Sequence, residues 1–222
     1  MTMNAIDLYV GIDLSLRSTA VMILDKNFNI ISMQVVTSTT KQYNDEELLI
    51  YNSKTIVNFI TNTINDPKLG ANYQDGIVIP IKNIAIERLS YASKSAKSDV
   101  ISANSWILRC RLKDTFPTSP IQIVSVKEWR NKFLSDVEQR LINEQYPIIR
   151  AKRGMKLTKD ETKSNNKNKA LIKVAIKELT LSKIPDNIRE IFTKYLTDNK
   201  IKVISEYDLA DAYLLTKFSI GI

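Results

Sequence analysis

Apolar and polar residues alternate from Ile6 to Leu14. Ile6, Leu8, Val10 and Ile12 fall on one side of an extended chain and Asp7, Tyr9, Gly11 and Asp13 on the other, the two-residue period of a strand. STAVMILD (18–25) and FNIISMQVV (28–36) continue as β-rich runs, and the short polar connections LSLR and KN predict antiparallel hairpins. Asn44 and Asp45 can cap a helix over 45–65 that carries Leu49, Ile56, Ile60 and Ile64 on one side and stops at Pro67 and Gly70. NIAIE (83–87) is a fourth strand, residues 99–115 a helix, IQIVSV (121–126) a fifth strand, and VKEWRNKFL begins another helix. NKALIKVAIKEL (168–179) repeats Ile172, Ala175, Ile176 and Leu179 in helical register, Pro185 breaks it, and a short helix follows over 186–196. The order predicts an α/β protein with a five-stranded mixed sheet, three antiparallel strands followed by two parallel ones, flanked by helices.

The last helix carries EYDLADAYLL (206–215). Asp208 and Asp211 share the helix face that continues through Leu215 and Phe218, the stripe a helix turns towards a core. Carboxylates on a burying face cost free energy unless something cationic meets them. Asp13 closes the first strand and Glu87 the fourth. If those strands are neighbours, the last helix can bring Asp208 and Asp211 above them.

Composition narrows the chemistry. With 222 residues, 44% of them hydrophobic, the chain suits one globular domain, 1–222, with an insertion at about 130–168. No apolar run is long enough to span a bilayer, and the N-terminus lacks a signal-peptide pattern. The single cysteine, Cys110, lies between Leu108 and Leu112 and reads as a core or boundary residue; one cysteine and no leader point to the cytoplasm. Histidine is absent, which removes imidazole bases, His-ligated zinc and the Ser-His-Asp triad. Hydrolysis would then need carboxylates with hard cations such as Mg²⁺ or Mn²⁺. The net charge is +8, and Arg150, Lys152, Arg153, Lys156, Lys159, Lys163, Lys167 and Lys169 stand together against only Asp160 and Glu161. That cluster reads as a phosphate-contacting element.

GIDLSLRSTA (11–20), AIERLSYASKSAKS (85–98) and EYDLADAYLL resemble the three acidic motifs of RuvC-type Holliday junction resolvases, in the ribonuclease H-like (retroviral-integrase) superfamily. The resemblance implies a ribonuclease H-like fold and makes Asp13, Glu87, Asp208 and Asp211 catalytic carboxylates holding two Mg²⁺ (or Mn²⁺) ions per site. It adds Lys127 after the fifth strand and Lys169 at a helix start as catalytic cations. Tyr91 sits where resolvases carry an aromatic residue near the junction centre, in a loop with Lys94 and Lys97; these join Arg150, Lys152, Arg153, Lys156 and Lys159 as DNA-binding residues. It further implies a symmetric homodimer acting on a four-way DNA junction, with no membrane partner. Leu14 and Leu16 depart from the Pro and Gly typical of bacterial members, and residues 130–168 exceed the family's loop. With the Lys/Asn/Ile-rich composition, this divergence looks like that of a phage or viral relative.

Plainer roles exist for the same acids. Asp13 can close an Asx turn ahead of Ser15 and Ser18, Glu87 can pair with Arg88 or Lys82, and Ser205-x-x-Asp208 has the form of a capping box. No such role covers Asp211. Competing functions are a ribonuclease H-like nuclease for RNA–DNA hybrids or other branched DNA, an actin-like or sugar-kinase ATPase, and a non-catalytic DNA-binding protein.

Overall fold

The computed structural model describes residues 6–38, 44–66, 81–88, 98–151 and 155–221. The strands are β1 (Leu8–Asp13), β2 (Ser18–Asp25), β3 (Ile30–Thr37), β4 (Ile81–Arg88) and β5 (Ile121–Ser125). They form one sheet in the order β3-β2-β1-β4-β5. The two hairpin pairs are antiparallel, as the short connections predict, while β1–β4 and β4–β5 are parallel. This sheet, flanked by helices on both faces, is a ribonuclease H-like α/β fold.

The alternation in β1 decides which face covers what. Leu8, Val10 and Ile12 join Ile84 and Ile86 of β4 in a core beneath α1 (Asp45–Ile64) and α2 (Ser98–Thr115). On the opposite face Ala20, Met22 and Leu24 of β2 and Ala85 of β4 pack against α7 (Ser205–Ile220), with α6 (Asp186–Asp198) and the end of α5 (Lys159–Ser182) outside it. Residues 209–216 of α7 are all buried, so this helix is a core element rather than a one-sided surface helix. Gly11 lets it come close. A Cβ there would lie 2.6 Å from the Ala212 carbonyl oxygen and 2.8 Å from the Thr216 nitrogen, both α7 backbone.

Two helices depart from the pattern-based expectation. α5 begins at Lys159, well ahead of 168, because Thr158 caps it: the Glu161 amide donates to the Thr158 hydroxyl at 3.2 Å and the Thr158 amide to the Glu161 carboxylate at 2.8 Å. The expected insertion holds the end of α3 (Val126–Phe133), then α4 (Asp136–Gln145), which starts on a second capping box, Ser135 with Glu138. Lys183 ties α4 to the end of α5 through Glu138, 2.6 Å away. Asn165, buried in α5, receives the Ile149 amide and donates to the Ile149 carbonyl, both at 2.8 Å, which pins the segment ahead of α5 to that helix. Cys110 is exposed rather than part of the core, because it lies on the outer face of α2.

Gly11→Ala should destabilise the protein by about 2–3 kcal/mol, because the methyl group meets α7 backbone that cannot rotate away. Urea unfolding measures this. A loss below roughly 0.5 kcal/mol would mean that α7 does not depend on this contact.

Candidate active site

β1 and β4 run parallel as neighbours, with Gly11 beside Ala85 and Ile12 beside Ile86. One step further along, Asp13 and Glu87 leave the sheet together on the face covered by α7. Asp208 and Asp211 lie in the first turns of α7, just ahead of the Ala212 carbonyl that Gly11 admits. The acids thus come from three separate elements, and one close approach of helix to sheet assembles them.

Three of the four acids have an anchor. The Ser18 hydroxyl donates to Asp208 at 2.6 Å, and the Lys177 ammonium sits 3.3 Å from its other oxygen. Arg130 donates to Asp211 at 3.3 Å and lies over the Trp129 ring, 5.0 Å from the centroid. Trp129 is fully buried and donates its indole N–H to Glu87 at 3.0 Å. Ser125 opens α3 with a capping box, which aims Trp129 and Arg130 at the site. The β1–β2 turn is closed by the Ser15 and Thr19 hydroxyls, leaving the Asp13 carboxylate to the site.

Two cations face four carboxylates, and both sit on the α7 pair. Burial, and then the charges of Glu87, Asp211 and Asp208, hold the Asp13 carboxyl well above its usual range against the pull of Lys177. Burial and the charge of Asp211 push Glu87 from 4.5 up to about 7, with Arg130, Trp129 and Lys177 opposing. Burial also raises Asp211 in spite of Arg130 and Lys177.

The plainer roles for these acids find other partners. Glu87 is held by Trp129, while Lys82 pairs with Asp7 at 3.3 Å. The first helical turn of α7 has no side-chain cap, and Asp208 turns to Ser18 and Lys177 instead of closing a box with Ser205. The two expected catalytic lysines do not reach the acids. Lys169 is exposed on α5, about two turns ahead of Lys177, and Lys127 is exposed in a cleft lined by Asn131, Gln139 and Arg140. Lys177 occupies the place expected of Lys169, because α5 meets α7 only in its apolar second half. Arg150, Lys156 and Lys159 are exposed, while Tyr91, Lys94, Lys97, Lys152 and Arg153 lie outside the described residues. Lys177, Arg130, Trp129 and Ser18 were not singled out from the sequence. The one usable signal was that Lys177 lies inside the apolar register 172–179 and Lys169 ahead of it.

No protein-family model and no curated protein matches the chain. Solved structures similar to it include T. thermophilus RuvC in complex with Holliday junction substrate and the Thermus thermophilus RuvC structure. Each is 7% identical and spans 78% of this chain and 96% of its own, with TM-scores of 0.43 and 0.42. A likeness that distant decides nothing about activity.

The donor set suits a hard divalent cation. All four groups are carboxylates; among the described residues two of the four lack a basic partner and the buried Asp211 Oδ1 has no hydrogen bond. Among the described residues no three acidic side chains are gathered tightly enough to form a ready cage. Their oxygens rest on Ser18, Lys177, Arg130 and Trp129, so ion binding would have to turn some of them.

Without metal, pH should read the excess charge. Glu87 holds its proton more tightly in the folded state, so its contribution is fully present below about 4.5 and is lost as pH rises through about 7. That difference amounts to about 3 kcal/mol. Urea unfolding in EDTA should therefore show Glu87→Gln gaining about 3 kcal/mol on the unaltered protein between pH 4.5 and pH 8. Parallel stability profiles would show that Glu87 carries no such strain.

Proposed function

We propose that this protein is a metal-dependent, structure-specific DNA endonuclease that resolves four-way junctions by paired symmetric nicks. The observation that supports the reading is the convergence of Asp13, Glu87, Asp208 and Asp211 from three elements, opposed among the described residues by Arg130 and Lys177. Asp13, Glu87, Asp208 and Asp211 would hold two Mg²⁺ (or Mn²⁺) ions, which when bound activate a water and stabilise the leaving 3′-oxygen of a phosphodiester.

The chain's own residues supply the remainder. Trp129 and Ser18 orient Glu87 and Asp208, so two acids from different elements arrive with fixed directions. Arg130 and Lys177 set positive charge at the rim of the cluster, where a phosphate approaching the acids would otherwise be repelled. With no histidine in the chain, the proton taken from water has only carboxylates or solvent to go to. A four-way junction is two-fold symmetric, so a homodimer would present two such sites to opposed strands. No helix among the described residues is long and apolar enough to cross a membrane, and a cytoplasmic site of action fits the single cysteine.

Labelled four-way junction, flap, duplex and RNA–DNA hybrid, each incubated with and without Mg²⁺, test the reading. Junction should be cut with Mg²⁺ or Mn²⁺ and bound but not cut with Ca²⁺, whose looser geometry acidifies water less. Robust cleavage in EDTA, or cutting of hybrid alone, would overturn it. Asp13→Asn, Glu87→Gln, Asp208→Asn and Asp211→Asn should each lower cleavage by roughly 100-fold or more with junction binding kept. An active Asp211→Asn protein would remove the metal-site account, since no other role proposed for that position needs an acid.

A further inference from the structure

The first half of α5 stands away from the core, and its lysines are sorted by side. Lys159 and Lys177 are separated by about five helical turns, so they point the same way, and Lys163, Lys169 and Lys173 fall on that side between them. Lys159, Lys163, Lys169 and Lys173 are exposed, and none has an ion-pair partner among the described residues. The acids of the helix, Asp160, Glu161 and Glu178, lie off that side. Along most of its length the opposite side carries the residues that pack, buried Asn165 and then half-buried Ile172, Ala175, Ile176 and Leu179; only past Lys177 does the row's own side enter the core, at buried Thr180 and Leu181. At its far end the row reaches Lys177, 3.3 Å from Asp208 in the acid cluster.

We infer that this face of α5 is a rail for the phosphate backbone of one duplex DNA arm, delivering that arm to the acid cluster at Lys177. The row spans about 27 Å, and its lysines follow one another every 6–9 Å along the axis. That length corresponds to about eight base pairs at 3.4 Å per step of one strand. A solvated lysine face is commonplace; a row purged of acids, five turns long and ending against a carboxylate cluster, matches an extended polyanion better than a compact ligand. The inference rests on the nuclease reading only in taking DNA as the polyanion.

The test uses the full chain with Lys159→Gln, Lys163→Gln, Lys169→Gln and Lys173→Gln combined, and a control with Lys194→Gln on α6 and Lys200→Gln and Lys202→Gln in the connection after it, all three exposed. Fluorescence anisotropy across a salt series, with circular dichroism to confirm folding, gives the readout. The slope of log K against log salt should fall by up to about 3.6 in the rail variant and change little in the control. Junctions with arms cut from 12 to 4 base pairs should bind the unaltered protein more weakly and the rail variant no differently. An unchanged slope, an equal loss in both variants, or loss of binding to phosphatidylserine vesicles with DNA binding intact would each overturn the rail. Absence of any DNA binding by the unaltered protein would instead refute the nuclease reading beneath it.

Discussion

The rest of the structure depends on how closely α7 lies on the sheet over Gly11. Helices usually stand off a sheet by the thickness of the side chains that fill the gap from both surfaces. Here β1 contributes a hydrogen atom where a side chain would be, and the backbone of Ala212 and Thr216 occupies the space. The Thr216 hydroxyl turns back to the Ala212 carbonyl at 2.6 Å, so that turn of the helix satisfies its own polar groups at the point of contact. Asp13 is the next residue of β1 on the same face, and Asp208 and Asp211 occupy the turn of α7 just before Ala212. Acids that would otherwise be separated by two layers of side chains therefore meet.

Bringing carboxylates together in a partly dry place is unfavourable, and the surroundings show how the fold tolerates it. The helix acids are met by helix cations: Lys177 of α5 faces Asp208 and Arg130 of α3 faces Asp211. The strand acids are not. Glu87 has a neutral donor in Trp129, and Asp13 sits against three like charges. Both cations lie against aromatic rings, Arg130 over Trp129 and Lys177 over Tyr207, which holds them in place without neutralising them.

Much of this was legible in the sequence, and the limit is physical. Strands and hairpins follow from local alternation, and the parallel neighbours β1 and β4 place Asp13 beside Glu87 without knowledge of any side-chain contact. The counter-charges were not legible, because each is a partner chosen by packing. Ser18 and Asp208 are 190 residues apart. Lys177 differs from Lys127 and Lys169 as sequence only in lying within the apolar register 172–179; the docking of that half of α5 on α7 turns it inward. The boundaries of α4 and α5 were missed for a different reason. Capping boxes at Ser135 and Thr158 start those helices in polar stretches where no apolar period announces them.

On the proposed reading the uneven distribution of charge would also order the events at the site. Lys177 and Arg130 already compensate the α7 acids, so on the proposed reading Asp13 and Glu87 at the strand ends would draw a divalent cation most strongly. Its charge would lower the affinity of Asp13 and Glu87 for protons, and it would compete with Lys177 and Arg130 for Asp208 and Asp211. Once those contacts loosen, an ammonium and a guanidinium at the rim are left without carboxylates, and a phosphate diester is the partner of matching charge. On the proposed reading the same two side chains thus serve both states. They hold the helix acids while the cluster lacks a cation, and they attract the substrate's charge once it has one. A neutral pair at positions 130 and 177 could do neither, and the four acids would then lean on metal alone to stay folded together.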